Sequence, residues 1–197
     1  MTSLLHVLSP GMFTTVQDLG RFGYQDLGVP VAGALDPINL RLANTLVGNA
    51  ENTGALEIRI MGPTIRIEAD SVRMALCGTD ADLVIAGNPS RHVSSGQSVR
   101  LRQGQVVQIG AMKDTSCCYL AVEGGFDLPR PFASQSTYVR GGFGGYQGRA
   151  LQAGDQLPLA ANTIAARSET RLNEISAVDV SGAIRVVLGP QDNYFTD

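Results

Sequence analysis

Within one short run, Thr14-Thr15-Val16-Gln17-Asp18-Leu19-Gly20-Arg21, the chain places an amide, a carboxylate and a guanidinium. Side chains of these types so close together can hold a polar substrate, because arginine offers a planar fork of N–H donors to a carboxylate or phosphate. The same residues equally make an Asx-turn with an Asp18–Arg21 surface pair, worth about 0–1 kcal/mol. A second polar run, Ser134-Gln135-Ser136-Thr137-Tyr138-Val139-Arg140-Gly141-Gly142, combines hydroxyls, backbone amides and one arginine in a glycine-rich loop. Such a loop can cradle an anion or simply lie in solvent. Neither run names a reaction by itself.

Familiar nucleotide and hydrolase signatures do not account for them. Gly142-Phe143-Gly144-Gly145-Tyr146-Gln147-Gly148 has its third glycine one residue late for a dinucleotide loop, and no helical pattern follows it. There is no Gly-x-x-x-x-Gly-Lys, no Gly-x-Ser-x-Gly and no His-Glu-x-x-His. His6 and His92 are the only histidines, and nothing in the spacing of His, Cys and carboxylates argues for a metal site.

Composition narrows the class. The chain has 197 residues, a hydrophobic fraction of 44% and a charged fraction of 17%, ordinary for a globular protein with a real core. Glycine is in excess: 23 residues, where average usage gives roughly 14. With 9 prolines and no period, that excess implies many tight turns between short strands. A net charge of -3 and a pI near 5.3 argue against nucleic-acid binding. No apolar stretch is long enough to span a bilayer, and the N-terminus lacks the pattern of a signal peptide, so the expected location is the cytoplasm with no membrane partner. Three cysteines, Cys77, Cys117 and Cys118, have no Cys-x-x-Cys spacing and read as small buried hydrophobes, the adjacent pair pointing to opposite faces of a strand.

The elements that must position the polar runs are mostly strands. Segments 4–8, 56–60, 64–67, 73–76, 83–85, 99–101, 106–109 and 117–122 carry the β pattern, and 56–60 and 65–67 alternate strictly, as a sheet with one wet face requires. Met61-Gly62-Pro63 reads as a hairpin or bulge, and Gln103-Gly104 as a second hairpin. One helix stands out: Asp36 as N-cap, Pro37 in the first turn, Ile38, Leu42 and Leu46 on one face, and Gly48 as terminator. Strands at this spacing predict a mostly β barrel or sandwich with one early helix. Residues 161–182 are small and polar and read as a linker or excursion. A further strand is expected over 184–188, and the chain stops soon after it, as a truncated chain would.

The same residues carry a resemblance. Residues 14–21, Gly28-Val29-Pro30, Gly33-Ala34-Leu35-Asp36 and Ala43-Asn44-Thr45-Leu46-Val47-Gly48-Asn49 resemble the opening of the carboxyltransferase-like family known as allophanate hydrolase subunit 2, or the C-subunit of 5-oxoprolinase. The match continues in order through Leu56-Glu57, Gly62-Pro63, Tyr119 to Gly125, Ser134 to Thr137, Gly148 to Leu151, Gly154 to Leu157 and Gly189-Pro190-Gln191. The resemblance implies a cyclophilin-like β-barrel over 1–160, a linker over 161–182, and the start of a truncated second half over 183–197. It implies two sister proteins, a B-subunit and a lactam-utilisation A-subunit, in a complex that opens 5-oxoproline to glutamate with ATP. The alternatives are the biotin-dependent carboxyltransferase domain of a urea carboxylase or a non-catalytic regulatory partner. Either chemistry polarises an amide-type carbonyl and stabilises an anionic intermediate. On the resemblance, Gln17, Asp18 and Arg21 line that site first, then Asp36, Asn39, Asn44 and Glu57, with Ser134, Ser136 and Thr137 as further contacts; no general base is assigned. Asp36 and Asn44 also have structural readings, at the two ends of the helix. Ala32, Cys117 and Gln135 depart from the family pattern, replacing a serine, an arginine and a commonly basic residue.

Overall fold

The computed structural model describes residues 3–173, 182–183 and 185–194. Among these residues eleven strands form two antiparallel sheets. In chain order they are β1 (Leu4–Ser9), β2 (Phe13–Gln17), β3 (Ala55–Arg59), β4 (Thr64–Glu68), β5 (Ser71–Cys77), β6 (Leu83–Ile85), β7 (Arg91–Val93), β8 (Ser98–Arg102), β9 (Val106–Ile109), β10 (Cys117–Val122) and β11 (Gln156–Pro158). One sheet has the order β11-β1-β4-β9-β6-β7, the other β2-β3-β10-β5-β8. The inner faces share one apolar core that includes Leu5, Val7, Val16, Leu56, Ile58, Ile65, Met74, Leu120 and Leu157. Each fully buried aliphatic side chain of this kind contributes about 1.5–3 kcal/mol.

Among the described residues the fold is mostly β with one α-helix, as the sequence predicts, but no closed barrel forms. The five-stranded sheet ends on loops, not on strands of the other sheet. The Thr137 and Leu151 amides bond to the Val16 and Thr14 carbonyls of β2, at 2.9 and 2.8 Å. On the opposite edge, Ser98 of β8 donates to the Thr170 carbonyl at 2.8 Å. Both expected hairpins are sheet crossings. Met61-Gly62-Pro63 carries the chain from β3 in one sheet to β4 in the other, and Gln103-Gly104 does the same between β8 and β9. Turn chemistry marks where the chain bends but not which sheet it enters.

The helix α1 (Pro37–Val47) begins as its sequence dictates. Asp36 Oδ1 accepts from the Ile38 and Asn39 amides, both at 3.0 Å, and Gly48 closes the helix at φ +77°, a left-handed value that glycine adopts without Cβ strain. Its buried stripe differs from the expected one. Leu40, Ala43, Leu46 and Val47 are buried, Leu42 is half-buried and Ile38 is exposed. The stripe is set by the outer face of the five-stranded sheet, where Ala55, Ala75, Ala121, Cys77 and Tyr119 let the helix approach closely. That cover explains why β3 is buried on both faces despite its alternating pattern, whereas β4 keeps its wet face. Cys118 enters the main core and Cys117 packs toward the helix side, and burial pushes the Cys77 thiol up to about 12.

Residues 161–173, expected as a linker, run back along β8 as a strap. The remainder of that stretch, 174–181, and Ile184 lie outside the described residues. Residues 185–188 of the expected strand belong to no sheet, and Val186, Val187 and Leu188 are exposed.

One ion pair in this body has a readable pH dependence. Arg149 grips Asp155 with both ends of its fork, Nη1–Oδ2 at 2.7 Å and Nη2–Oδ1 at 2.8 Å, and the Gln152 amide adds a third bond at 2.7 Å. Burial alone would raise the Asp155 carboxyl, but these bonds and the guanidinium charge outweigh it and hold it below the ordinary 3.8. A depressed carboxyl stabilises the fold above its ordinary value and loses that contribution as pH falls through the lower folded value. Arg149→Met is therefore expected to cost about 1–2 kcal/mol above about pH 5. The urea midpoints of variant and parent should draw together as pH falls below the ordinary carboxyl value; a constant gap between them would refute this origin.

Candidate functional site

The two polar runs meet although more than a hundred residues separate them. Asp18 follows directly on β2, and its carboxylate accepts four hydrogen bonds. Oδ1 takes the Gly20 amide at 2.8 Å, the Ser134 hydroxyl at 2.7 Å and the Ser136 hydroxyl at 2.5 Å; Oδ2 takes the Gln135 amide at 2.7 Å. The Ser136 hydroxyl also accepts from the Asp18 amide at 3.0 Å, and Thr137 returns its own hydroxyl to the Val16 carbonyl at 2.8 Å. Gln17 Nε2 donates to Thr15 Oγ1 at 3.1 Å and to the Thr137 carbonyl at 3.3 Å. Asp18, Arg21, Gln17, Ser134, Ser136 and Thr137 are all buried. The surface-turn reading of Asp18 and Arg21 is thereby replaced: Asp18 spends its acceptors on shaping a loop, which leaves it poorly placed to act as a base.

Arg21 is different because its donors are not all taken. Arg21 is 1% exposed, and its Nη2 donates to the Ser136 carbonyl. Nε and Nη1 have no acceptor among the described residues. Burial pulls its pKa down, and the nearby Asp18 charge opposes that shift. The Phe143 ring lies over the guanidinium, 4.9 Å from Cζ to centroid. Phe143 is held edge-on by Phe132 at 5.8 Å and Tyr138 at 5.5 Å. Beyond it opens a cavity of about 490 Å3 whose walls include Leu128, Pro131, Phe143, Gly144, Tyr146 and Pro158. Gly144 must be glycine: a Cβ there would overlap the Ser136 carbonyl and reach 2.9 Å from Arg21 Nη2.

A second cluster lies on the same sheet, under the start of α1. Tyr119 Oη donates to Glu57 Oε2 at 2.7 Å and accepts from the Asp36 amide at 2.8 Å; Glu57 Oε2 also takes the Leu35 amide at 2.8 Å. Burial pushes the Tyr119 phenol up, so it stays a neutral donor. Asn39 Nδ2 donates to Asp36 Oδ2 at 2.7 Å. The Ala34 amide meanwhile bonds to the Asp18 carbonyl at 2.9 Å, so three successive amides, 34 to 36, tie this segment to both clusters. Thr15 joins them as well: it sits opposite Glu57 in register and accepts from Gln17. Asn44 stands apart. Its amide donates to the Thr53 and Glu51 carbonyls, at 2.8 and 3.3 Å, and braces the turn after the helix. Among the described residues no group of three or more His, Cys, Asp or Glu could hold a metal, and no helix is long and apolar enough to cross a membrane.

A model of the carboxyltransferase domain, subdomains A and B, matches residues 27–197. The chain belongs to this carboxyltransferase family. Within it, the chain is 38% identical to the 5-oxoprolinase C-subunit of Haemophilus influenzae over 92% of its own length and 57% of that protein's. It is 35% identical to the 5-oxoprolinase C-subunit of Escherichia coli, over 98% of its own length and 60% of that protein's. The chain thus spans little more than half the length of these two relatives. Urea amidolyase of Saccharomyces cerevisiae is 36% identical over 80% of the chain, which amounts to 8% of that much longer protein. Among solved structures, K. lactis urea amidolyase superposes with a TM-score of 0.76 at 34% identity, covering 80% of this chain and 9% of that one.

The departures from the family pattern have definite places. Gln135 is buried and donates to the Phe126 and Leu128 carbonyls, at 2.9 and 3.1 Å, so it holds a loop where a basic residue is common. Cys117 sits half-buried beside Tyr119, its thiol pushed up mainly by burial. Ala32 occupies a left-handed conformation at φ +51°. Two residues central to the geometry, Phe143 and Tyr119, are not among the site residues expected from sequence. Phe143 stands inside a glycine run that resembles only an imperfect nucleotide loop, and Tyr119 inside an ordinary strand pattern.

Proposed function

We propose that the chain acts as the C-subunit of a 5-oxoprolinase, opening 5-oxoproline to glutamate with ATP hydrolysis beside a B-subunit and a lactam-utilisation A-subunit in the cytoplasm. The observation that carries this reading is the match to two proteins named as 5-oxoprolinase C-subunits along 92% and 98% of the chain. In this reading residues 1–160 are the first cyclophilin-like unit, 161–182 link it onward and 183–197 begin a second half. ATP reaches the reaction through the complex. Gln17, Arg21, Ser134, Ser136 and Thr137 border the substrate, Asp18 positions them, and Asp36, Asn39 and Glu57 hold the adjoining segment. Opening the lactam adds water across its C–N bond: a C–O bond forms at the carbonyl carbon, the C–N bond breaks and the nitrogen takes up the proton to leave as the amine of glutamate, with ATP hydrolysis as the driving force. The addition passes through an anionic centre on the carbonyl oxygen, which fixed donors in a dry site stabilise. The test is to co-express the full-length gene with the sister subunits and assay ATP-dependent glutamate release from 5-oxoproline. Release that depends on this chain is expected.

The second reading, a biotin-dependent carboxyltransferase domain of a urea carboxylase, draws on the structural likeness to K. lactis urea amidolyase. Biotin-dependent carboxylation of urea, with no glutamate released from 5-oxoproline, would overturn the first reading in its favour.

A further inference from the structure

We propose that Arg21 is the carboxylate subsite of this molecule and that Phe143 is its door. The inference deepens the reading above, since 5-oxoproline carries one carboxylate next to its lactam. It rests on the inventory of Arg21. Among the described residues only Nη2 meets an acceptor, the Ser136 carbonyl, while Nε and Nη1 are buried without one. A buried donor left unpaired is costly, and native proteins rarely keep one that serves nothing. Asp18 cannot satisfy them, because its carboxylate already takes four donors from Gly20, Ser134, Gln135 and Ser136. The aromatic face of Phe143 stabilises the cation from above but accepts none of its in-plane hydrogens. A carboxylate that takes one hydrogen of the unpaired Nη1 and one of Nη2 would fill the end-on fork of the guanidinium with two parallel bonds.

The cavity supplies the way in. Phe143 and Gly144 form its wall, and Arg21 lies directly behind both. The wall's backbone is tied down. Tyr138 donates to the Phe143 carbonyl at 2.9 Å, Gly145 to the Gln135 carbonyl at 2.8 Å, and Gly148 to the Gly144 carbonyl at 2.8 Å. Opening is therefore a rotation of the Phe143 side chain into the cavity, with the loop staying in place. The lactam ring of the ligand then lies against the apolar wall of Leu128, Pro131 and Pro158, and its carboxylate meets the guanidinium.

The test uses the full-length chain and two ring ligands, 5-oxoproline and 2-pyrrolidinone, which is the same lactam without the carboxylate. Calorimetric titration is expected to show at least a tenfold preference for 5-oxoproline. Arg21→Lys should reduce that preference about tenfold, because an ammonium lacks the fork, and Phe143→Ala should keep the preference while speeding association in stopped flow. Equal affinity for the two rings, no binding of 5-oxoproline, or an undiminished preference in folded Arg21→Lys would overturn the proposal. Should Arg21→Lys fail to fold, unchanged association rates in Phe143→Ala overturn it as well. The outcomes separate from the assay of the complex. Glutamate release without a carboxylate preference removes the subsite and leaves the 5-oxoprolinase reading. A carboxylate preference in a complex that carboxylates urea does the reverse.

Discussion

Asp18→Ala is expected to destabilise the chain by about 3–5 kcal/mol, the range for removing one member of a buried charged network. The substitution strips the acceptor from two backbone amides and two hydroxyls, all within 2.5–2.8 Å of the carboxylate. It also removes the negative charge that opposes the desolvation of Arg21, leaving a buried cation uncompensated. For a chain of this size each kcal/mol lowers Tm by about 2–4 °C, so thermal unfolding should begin roughly 6–20 °C earlier. Asp18→Asn keeps the shape and one acceptor oxygen but turns a donor toward the Gln135 or Gly20 amide, and it should lose about 1–3 kcal/mol. Urea denaturation of the three proteins decides the matter. Loss of activity in Asp18→Ala at unchanged urea midpoint would mean that the carboxylate acts on substrate and does not merely position the loop.

That prediction shows where sequence reading reaches and where it stops. Local chemistry is legible. Asp36, Pro37 and Gly48 bound the helix because capping involves atoms only a few residues apart. Strands with strong aliphatic runs, such as β10 and β9, are equally plain. β2 reads as a polar run, since Thr14, Thr15 and Gln17 lack the alternation of a half-wet strand; its polar side chains are buried by partners as distant as Thr137. The face of α1 that packs inward cannot be chosen from Ile38, Leu42 and Leu46 alone, because the sheet beneath it is assembled from strands that run from Phe13 to Val122. The pairing of Asp18 with Ser134 and Ser136 is also nonlocal. Spacing leaves both runs ambiguous, and only the ordered family motifs link them.

Arg73 is the residue whose role is least visible in sequence, and its replacement is the second large effect expected. In sequence it is one polar position in the strand pattern around β5. In the fold its side chain is 0% exposed and serves as a pin for the strap. Nη1 pairs with Glu123, Nε with Glu169 at 3.1 Å, and Nη2 reaches the Ala165 and Arg167 carbonyls at 3.4 and 3.3 Å. Glu169 in turn accepts from the Ser98 hydroxyl at 2.6 Å, and the Thr170 amide donates back to that hydroxyl at 2.8 Å. The strap thus closes the open edge of β8 through one buried cation, with Leu172 bonded to the Gly96 carbonyl at its end. Arg73→Met takes the counter-charge from Glu169 and leaves Glu123 only its longer pair with Arg167, at 3.5 Å. The expected cost is about 3–5 kcal/mol. The loss should be local before it is global: amide exchange at Thr170, Leu172 and Ser98 should accelerate, and protease should cut within 161–173, while the β10 amides stay protected. Glu169→Gln removes only one of the two ion pairs and should loosen the strap less. Unchanged exchange at Thr170 and Leu172 in Arg73→Met would show that the β8 backbone pairing, and not the buried arginine, holds the strap.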